Sequence, residues 1–161
     1  MFHLYNQKEI TLLKDMRTEE ALCVEKYRDY AERASTEQLK SLMNKIGNEE
    51  QEHFNTINKL ISGEVPKMSP NMPKSPVAKA VEEITASDES YKNNKDAFMK
   101  DKFLCADALG TEKHISSVYN VDIFEFKNED VREVLNHIQK EEQGHGEKLY
   151  NYMAANGMYN G

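Results

Sequence analysis

Laid over itself with an offset of 92, the chain pairs residues 12–61 with 104–153 without a gap, and the agreements fall at chemically telling places. Leu12/Leu104, Asp15/Asp107, Glu20/Glu112, Tyr27/Tyr119 and Ile46/Ile138 are identical. So are Glu49-Glu50-Gln51 with His53 and Glu141-Glu142-Gln143 with His145. An internal duplication is the simplest account, and each repeat reads as one supersecondary unit that must bury its apolar face against the other.

That unit is a helical hairpin. Ile10, Leu13, Met16, Val24, Tyr27 and Ala31 recur at helical intervals and mark one face of a long first helix, which stops near Ser35. Ser35-Thr36-Glu37-Gln38 reads as a helix start with Ser35 as cap and Gln38 three residues on. Leu39, Leu42, Ile46, Ile57 and Leu60 then carry a second helix to Gly63, antiparallel to the first because the turn is short. Pro66, Pro70, Pro73 and Pro76 forbid regular helix in the next stretch, and a polar run follows them around Ser87 to Asp96. Residues 64–97 therefore read as a crossover long enough to span a bundle, with a short helix over 78–84 inside it. A third helix is expected from about 97 to 126, and a fourth, capped by Asn128, ends near Asn156-Gly157. The expected fold is all-α: a single domain over 1–161 forming a ferritin-like four-helix bundle. Hairpin 1 spans about 8–63, the crossover between helices 2 and 3 about 64–97, and hairpin 2 about 98–157.

Glu50-x-x-His53 and Glu142-x-x-His145 each set a carboxylate and an imidazole one turn apart on a helix face. The walks Ile46, Glu50, His53, Ile57, Leu60 and Ile138, Glu142, His145, Leu149, Tyr152 put them at seam positions that packing alone would make apolar. Glu20 and Glu112 interrupt the first and third helices in the same way, each thirty residues before its motif. Because each hairpin goes up and comes back, equal distances from the turn bring all six groups to mid-bundle. One Glu from each of two helices and a Glu-x-x-His from each of the others is the ligand pattern of di-iron and di-manganese carboxylate bundles. Buried carboxylates without partners are costly, and two divalent ions offset four negative charges. The expected arrangement has Glu20 and His53 on one metal, Glu112 and His145 on the other, and Glu50 and Glu142 bridging as the reactive carboxylates. Iron or manganese suits this mixed oxygen and nitrogen set, and zinc would also fit.

A single Glu-x-x-His in a Glu-rich helix is an accident of composition; two in register in apolar seams are not. Tyr27 and Tyr119 read as core aromatics, although a phenol there could bond a ligand carboxylate. Glu49 and Glu141 are rotated about 100° from the ligand face and read as flank or solvent. His114 falls roughly opposite Glu112 on its helix, His3 and His137 have no paired carboxylate at ligand spacing, and all three read as surface residues. Cys23 and Cys105 belong to no C-x-x-C, so they read as free thiols rather than a disulfide, zinc or second iron site.

The formal net charge of -7 argues against a nucleic-acid partner. No apolar run reaches a membrane span, nor does the start resemble a secretory leader, which leads to the expectation of an intracellular protein. A homodimer is compatible with long bundles of polar outer face.

The second half, from Glu112-Lys-His-Ile-Ser-Ser-Val-Tyr119 through Glu141-Glu-Gln-Gly-His145-Gly-Glu to Asn156-Gly-Met-Tyr159, resembles the Coat F domain of spore-forming bacteria over about residues 98–160. The first half resembles the less typical N-terminal hairpin of that group, within the wider ferritin and rubrerythrin-like class. The resemblance implies a spore coat protein, or one of the forespore or mother-cell cytoplasm, with other coat proteins as partners. Two readings stay open: a di-metal oxidoreductase acting on oxygen or peroxide, and a structural coat protein whose metal site is structural or vestigial.

Overall fold

The computed structural model describes residues 3–68 and 88–159. Among them are four long helices and no strand: α1 (Gln7–Arg33), α2 (Glu37–Ile61), α3 (Lys95–Ile123) and α4 (Glu129–Ala155), with one 3-10 turn, Glu89–Tyr91, before α3.

Side-chain caps set the helix starts. Asn6 and Glu9 form a reciprocal capping box on α1, Asn94 caps α3, and Asn128 accepts from the Val131 amide at 3.0 Å as expected. The second helix departs by one residue from the expected start: Thr36, not Ser35, is the cap and accepts from the Leu39 amide at 3.1 Å. The Ser35 amide is instead held by the buried Asp101 carboxylate at 3.0 Å, which ties the α1–α2 turn to the start of α3. Gly63 and Gly157 end α2 and α4 at φ 90° and 69°, a left-handed conformation that a side chain would disfavour.

α1 and α2 form one antiparallel hairpin and α3 and α4 another. Lys8 meets Glu125, the Tyr119 hydroxyl donates to Glu20, and Lys26 meets Asp107, so α1 and α3 also run antiparallel. α2 and α3 must then run parallel, so the end of α2 and the start of α3 lie at opposite ends of the bundle. Val65 and Met68 pack on the core cluster of Leu13, Ile57, Leu60, Val131 and Leu135, whereas Tyr91 and Phe98 pack on the opposite cluster of Tyr30, Leu39, Met43, Leu104 and Tyr152. This is the one-crossover connectivity of ferritin-like bundles. Pro70, Pro73, Pro76 and the helix expected over 78–84 lie outside the described residues.

The two core clusters are separate, and burial of their large side chains supplies the main drive to pack the helices. Between them, at mid-bundle, the seam turns polar. Cys23 and Cys105 are buried free thiols.

Candidate metal centre

All six sequence-selected residues reach this gap, and none is more than 2% exposed. Each helix contributes where its apolar walk is interrupted: Glu20 from α1, Glu50 and His53 from α2, Glu112 from α3, Glu142 and His145 from α4. They form two groups, Glu20, Glu50, His53, Glu142 and Glu50, Glu112, Glu142, His145, in each of which one donor atom per residue lies within 4.8 Å of the others. Glu50 and Glu142 belong to both. These groups are close enough to hold metal ions.

The imidazoles point the same way. His53 Nδ1 lies 2.9 Å from Glu142, 3.3 Å from Glu50 and 3.8 Å from Glu20. His145 Nδ1 lies 2.9 Å from Glu50, 3.5 Å from Glu112 and 3.6 Å from Glu142. The rings stack with centroids 5.8 Å apart. Each Nδ1 faces the carboxylates, which leaves Nε2 turned outward.

Those outer nitrogens correct the reading of Glu49 and Glu141. Neither is a solvent flank: Glu141 Oε1 lies 3.2 Å from His53 Nε2, and Glu49 Oε1 lies 3.4 Å from His145 Nε2. Antiparallel packing of α2 on α4 brings each of them over the opposite hairpin's histidine. A carboxylate that accepts from the far nitrogen fixes ring orientation and makes the near nitrogen a better ligand. His137 also differs from expectation, since its Nε2 sits 3.0 Å from Glu141. His114 is a surface residue, as expected.

Tyr27 and Tyr119 are core residues with a second task. The Tyr27 hydroxyl donates to Glu112, and the Tyr119 hydroxyl donates to Glu20 at 2.6 Å. Each tyrosine meets the buried carboxylate of the other hairpin, not that of its own helix. Both phenols are held well above their ordinary pKa, first by burial and then by the carboxylate each one meets.

The charges are strongly perturbed. Burial raises Glu20 well above the usual carboxylate range, reinforced by the charges of Glu50 and Glu142. Burial raises Glu112 likewise, with Glu142 and Glu50 adding to it. Burial also works against ionised Glu50, but bonds from His145 and His53 hold it well below the ordinary value. Burial disfavours both imidazolium ions, yet Glu141 and Glu142 hold His53 up, as Glu112 and Glu142 hold His145.

Left as unprotonated carboxylates, these groups are not all satisfied. Glu20 Oε2, Glu112 Oε2 and Glu142 Oε2 are buried without a hydrogen-bond partner, one from each of three converging helices. Orphaned buried acceptors are rare because each costs its full desolvation. Divalent cations would meet them, and the donor set of carboxylate oxygen and imidazole nitrogen is chemically suited to that.

Residues 100–160 match the Coat F domain family. The second hairpin is similar to a Coat F domain. The match covers α4 and all but the first turn of α3, including Glu112, Glu142 and His145. No curated protein and no solved structure matches the chain significantly. No helix of the described residues is long and apolar enough to cross a membrane.

Proposed function

We propose that this chain is a spore coat-associated protein of one domain, built around a dinuclear iron or manganese centre that reacts with peroxide or oxygen. Three buried carboxylate oxygens without a hydrogen-bond partner, two of them facing imidazole Nδ1 atoms, carry the reading. Glu20 and His53 would hold one ion and Glu112 and His145 the other, with Glu50 and Glu142 bridging, as their membership of both groups supports. Iron or manganese supplies redox chemistry toward oxygen or peroxide when bound.

The chain's own residues do the rest. Tyr27 and Tyr119 orient the outer carboxylates, Glu49 and Glu141 orient the imidazoles, and the two apolar clusters keep bulk water from both ends. Four carboxylates and two imidazoles shared between two ions leave coordination positions for an external ligand, as a reactive centre needs.

Metal analysis of protein purified without chelators should find two ions per chain, and the ferrous protein should develop a ferric absorption band with peroxide. His53→Ala and Glu142→Ala should each abolish that band. The Coat F match favours a second reading, a structural coat component bound to other coat proteins. Bound metal that shows no peroxide- or oxygen-dependent change with iron or manganese would decide for it.

A further inference from the structure

We infer that the centre is reached through a groove between α3 and α4, and that divalent ions and small anionic ligands of the metals enter there. The inference rests on the dinuclear reading above. The groove has a volume of about 600 Å³, and Glu112 and Glu142 form part of its wall. Oε2 of each is among the buried, unpartnered acceptors, so the floor of the groove is the outer wall of the centre. Glu142 belongs to both ligand groups, so a ligand arriving over it meets both metal positions.

Gly146 makes the opening. Its helical backbone needs no glycine, and an added Cβ would make only ordinary contact with Leu109 Cδ1 at 3.6 Å. Glycine weakens a helix interior, and neither backbone nor close packing requires it here. What it provides is space in the groove wall. The first hairpin is built the other way. Phe54 occupies the position equivalent to Gly146, and Gly47 lets α1 and α2 close until an added Cβ would stand 3.2 Å from Tyr27 Cβ. The second hairpin has Gln139 at that place, its amide donating to the Ser116 carbonyl at 3.1 Å across the groove.

The test follows cobalt(II) uptake by metal-free protein through its absorption bands, with metal content at equilibrium and azide titration of the loaded protein. Gly146→Phe should reach the same content but fill at least about tenfold more slowly and bind azide about tenfold more weakly. Ser116→Leu, which fills the groove from α3, should slow uptake in the same sense and covers the case in which the phenylalanine variant does not fold. Phe54→Ala should fill at the wild-type rate. Uptake unchanged in both groove variants, or accelerated tenfold in Phe54→Ala, would overturn the port while leaving the centre intact. A wild type that takes up no cobalt would instead remove the centre, and the port with it.

Discussion

The two hairpins carry one set of buried carboxylates and imidazole twice and close over it differently. In the first, glycine at 47 lets the backbones of α1 and α2 approach against Tyr27, and a half-buried phenylalanine stands at 54. In the second, glutamine and glycine stand at those places and line a groove whose wall includes Glu112 and Glu142. The inner face shows no such divergence: each hairpin's histidine takes its Nε2 partner, and each tyrosine its carboxylate, from the other hairpin. Duplication kept the residues that face the centre, because each is also part of its partner's site. Outer packing was free to diverge, and a symmetric interior thus came to have an asymmetric surface.

The largest effect should come from emptying the centre, and it should not distinguish the hairpins. Chelation should lower the melting temperature, since metal bound to the native state alone adds about 2.7 kcal/mol at one hundred times its dissociation constant. His53→Ala and His145→Ala should lose metal to similar extents; retention of one full ion in only one of them would show the sites to be unequal. The metal-free protein should then become less stable as pH rises. Glu20, Glu112, His53 and His145 are all raised, so the native state holds more protons than the unfolded one. Their contribution is complete below the ordinary carboxylate value of 4.5 and fades as pH climbs, with the histidines adding to the fall above 6.5. Glu50 and Glu141, the latter lowered to about 2 by His53 and Glu49 despite burial, act oppositely and lose their contribution only in acid. Urea midpoints of chelated protein that rise between about pH 5 and about pH 8 would contradict this sign.

Next in size, and selective for the first hairpin, is Gly47→Gln, which installs the second hairpin's residue. The side chain has no room beside Tyr27, and overpacking of this kind costs roughly 1–3 kcal/mol. The reciprocal Gln139→Gly loses a hydrogen bond and some helix propensity, together about 1–2 kcal/mol, with no overpacking. Denaturant midpoints should show the first exchange to be the costlier; the reverse order would mean that the first hairpin is not the tighter one.

How much of this the sequence carried depends on which direction a residue faces. Interrupted seam positions marked Glu20, Glu50, His53, Glu112, Glu142 and His145, because period and spacing act within one helix and one hairpin. Glu49 and Glu141 escaped the same reasoning. Rotated off the seam, they look solvated until α2 is laid antiparallel on α4, and no local pattern specifies that contact. A signal was nevertheless present: both repeats keep Glu-Glu-Gln-x-His, while the next position changes from Glu52 to Gly144. The identity of Tyr27 with Tyr119 was a similar signal, though the crossing of their partners between hairpins follows only from how the helices stack. Thr36 took the cap from Ser35 because the preceding amide found Asp101, sixty-six residues away.

A carboxylate that orients a ligand imidazole can be removed without removing a ligand. Glu141→Gln and Glu49→Gln should each weaken metal binding about 10–100-fold, by the usual cost of losing such a partner. Glu141 has His137 beside it and Glu49 has Lys45 at the equivalent position of its helix, so competition titrations on the two variants ask whether the outer shells have diverged with the packing. Equal losses would confine the asymmetry to the groove.

The smallest expected effect tests the crossing of partners itself. Tyr27→Phe removes the hydroxyl that donates to Glu112, and Tyr119→Phe the one that donates to Glu20. Each change leaves ring packing in place, so the loss should be near that of one buried hydrogen bond, about 0.5–1.5 kcal/mol. The partners lie in opposite hairpins, which makes the double-mutant cycle informative. Tyr27→Phe combined with Glu112→Gln should cost less than the sum of the two, and Tyr27→Phe combined with Glu20→Gln should be close to additive. The same pattern should hold for Tyr119 with Glu20 against Tyr119 with Glu112. Glu112 and Glu20 are both buried, so the two tyrosine changes should cost about the same. Coupling of Tyr27 with Glu20 in place of Glu112 would show that each tyrosine serves its own helix, and the interlocked centre would give way to two independent halves.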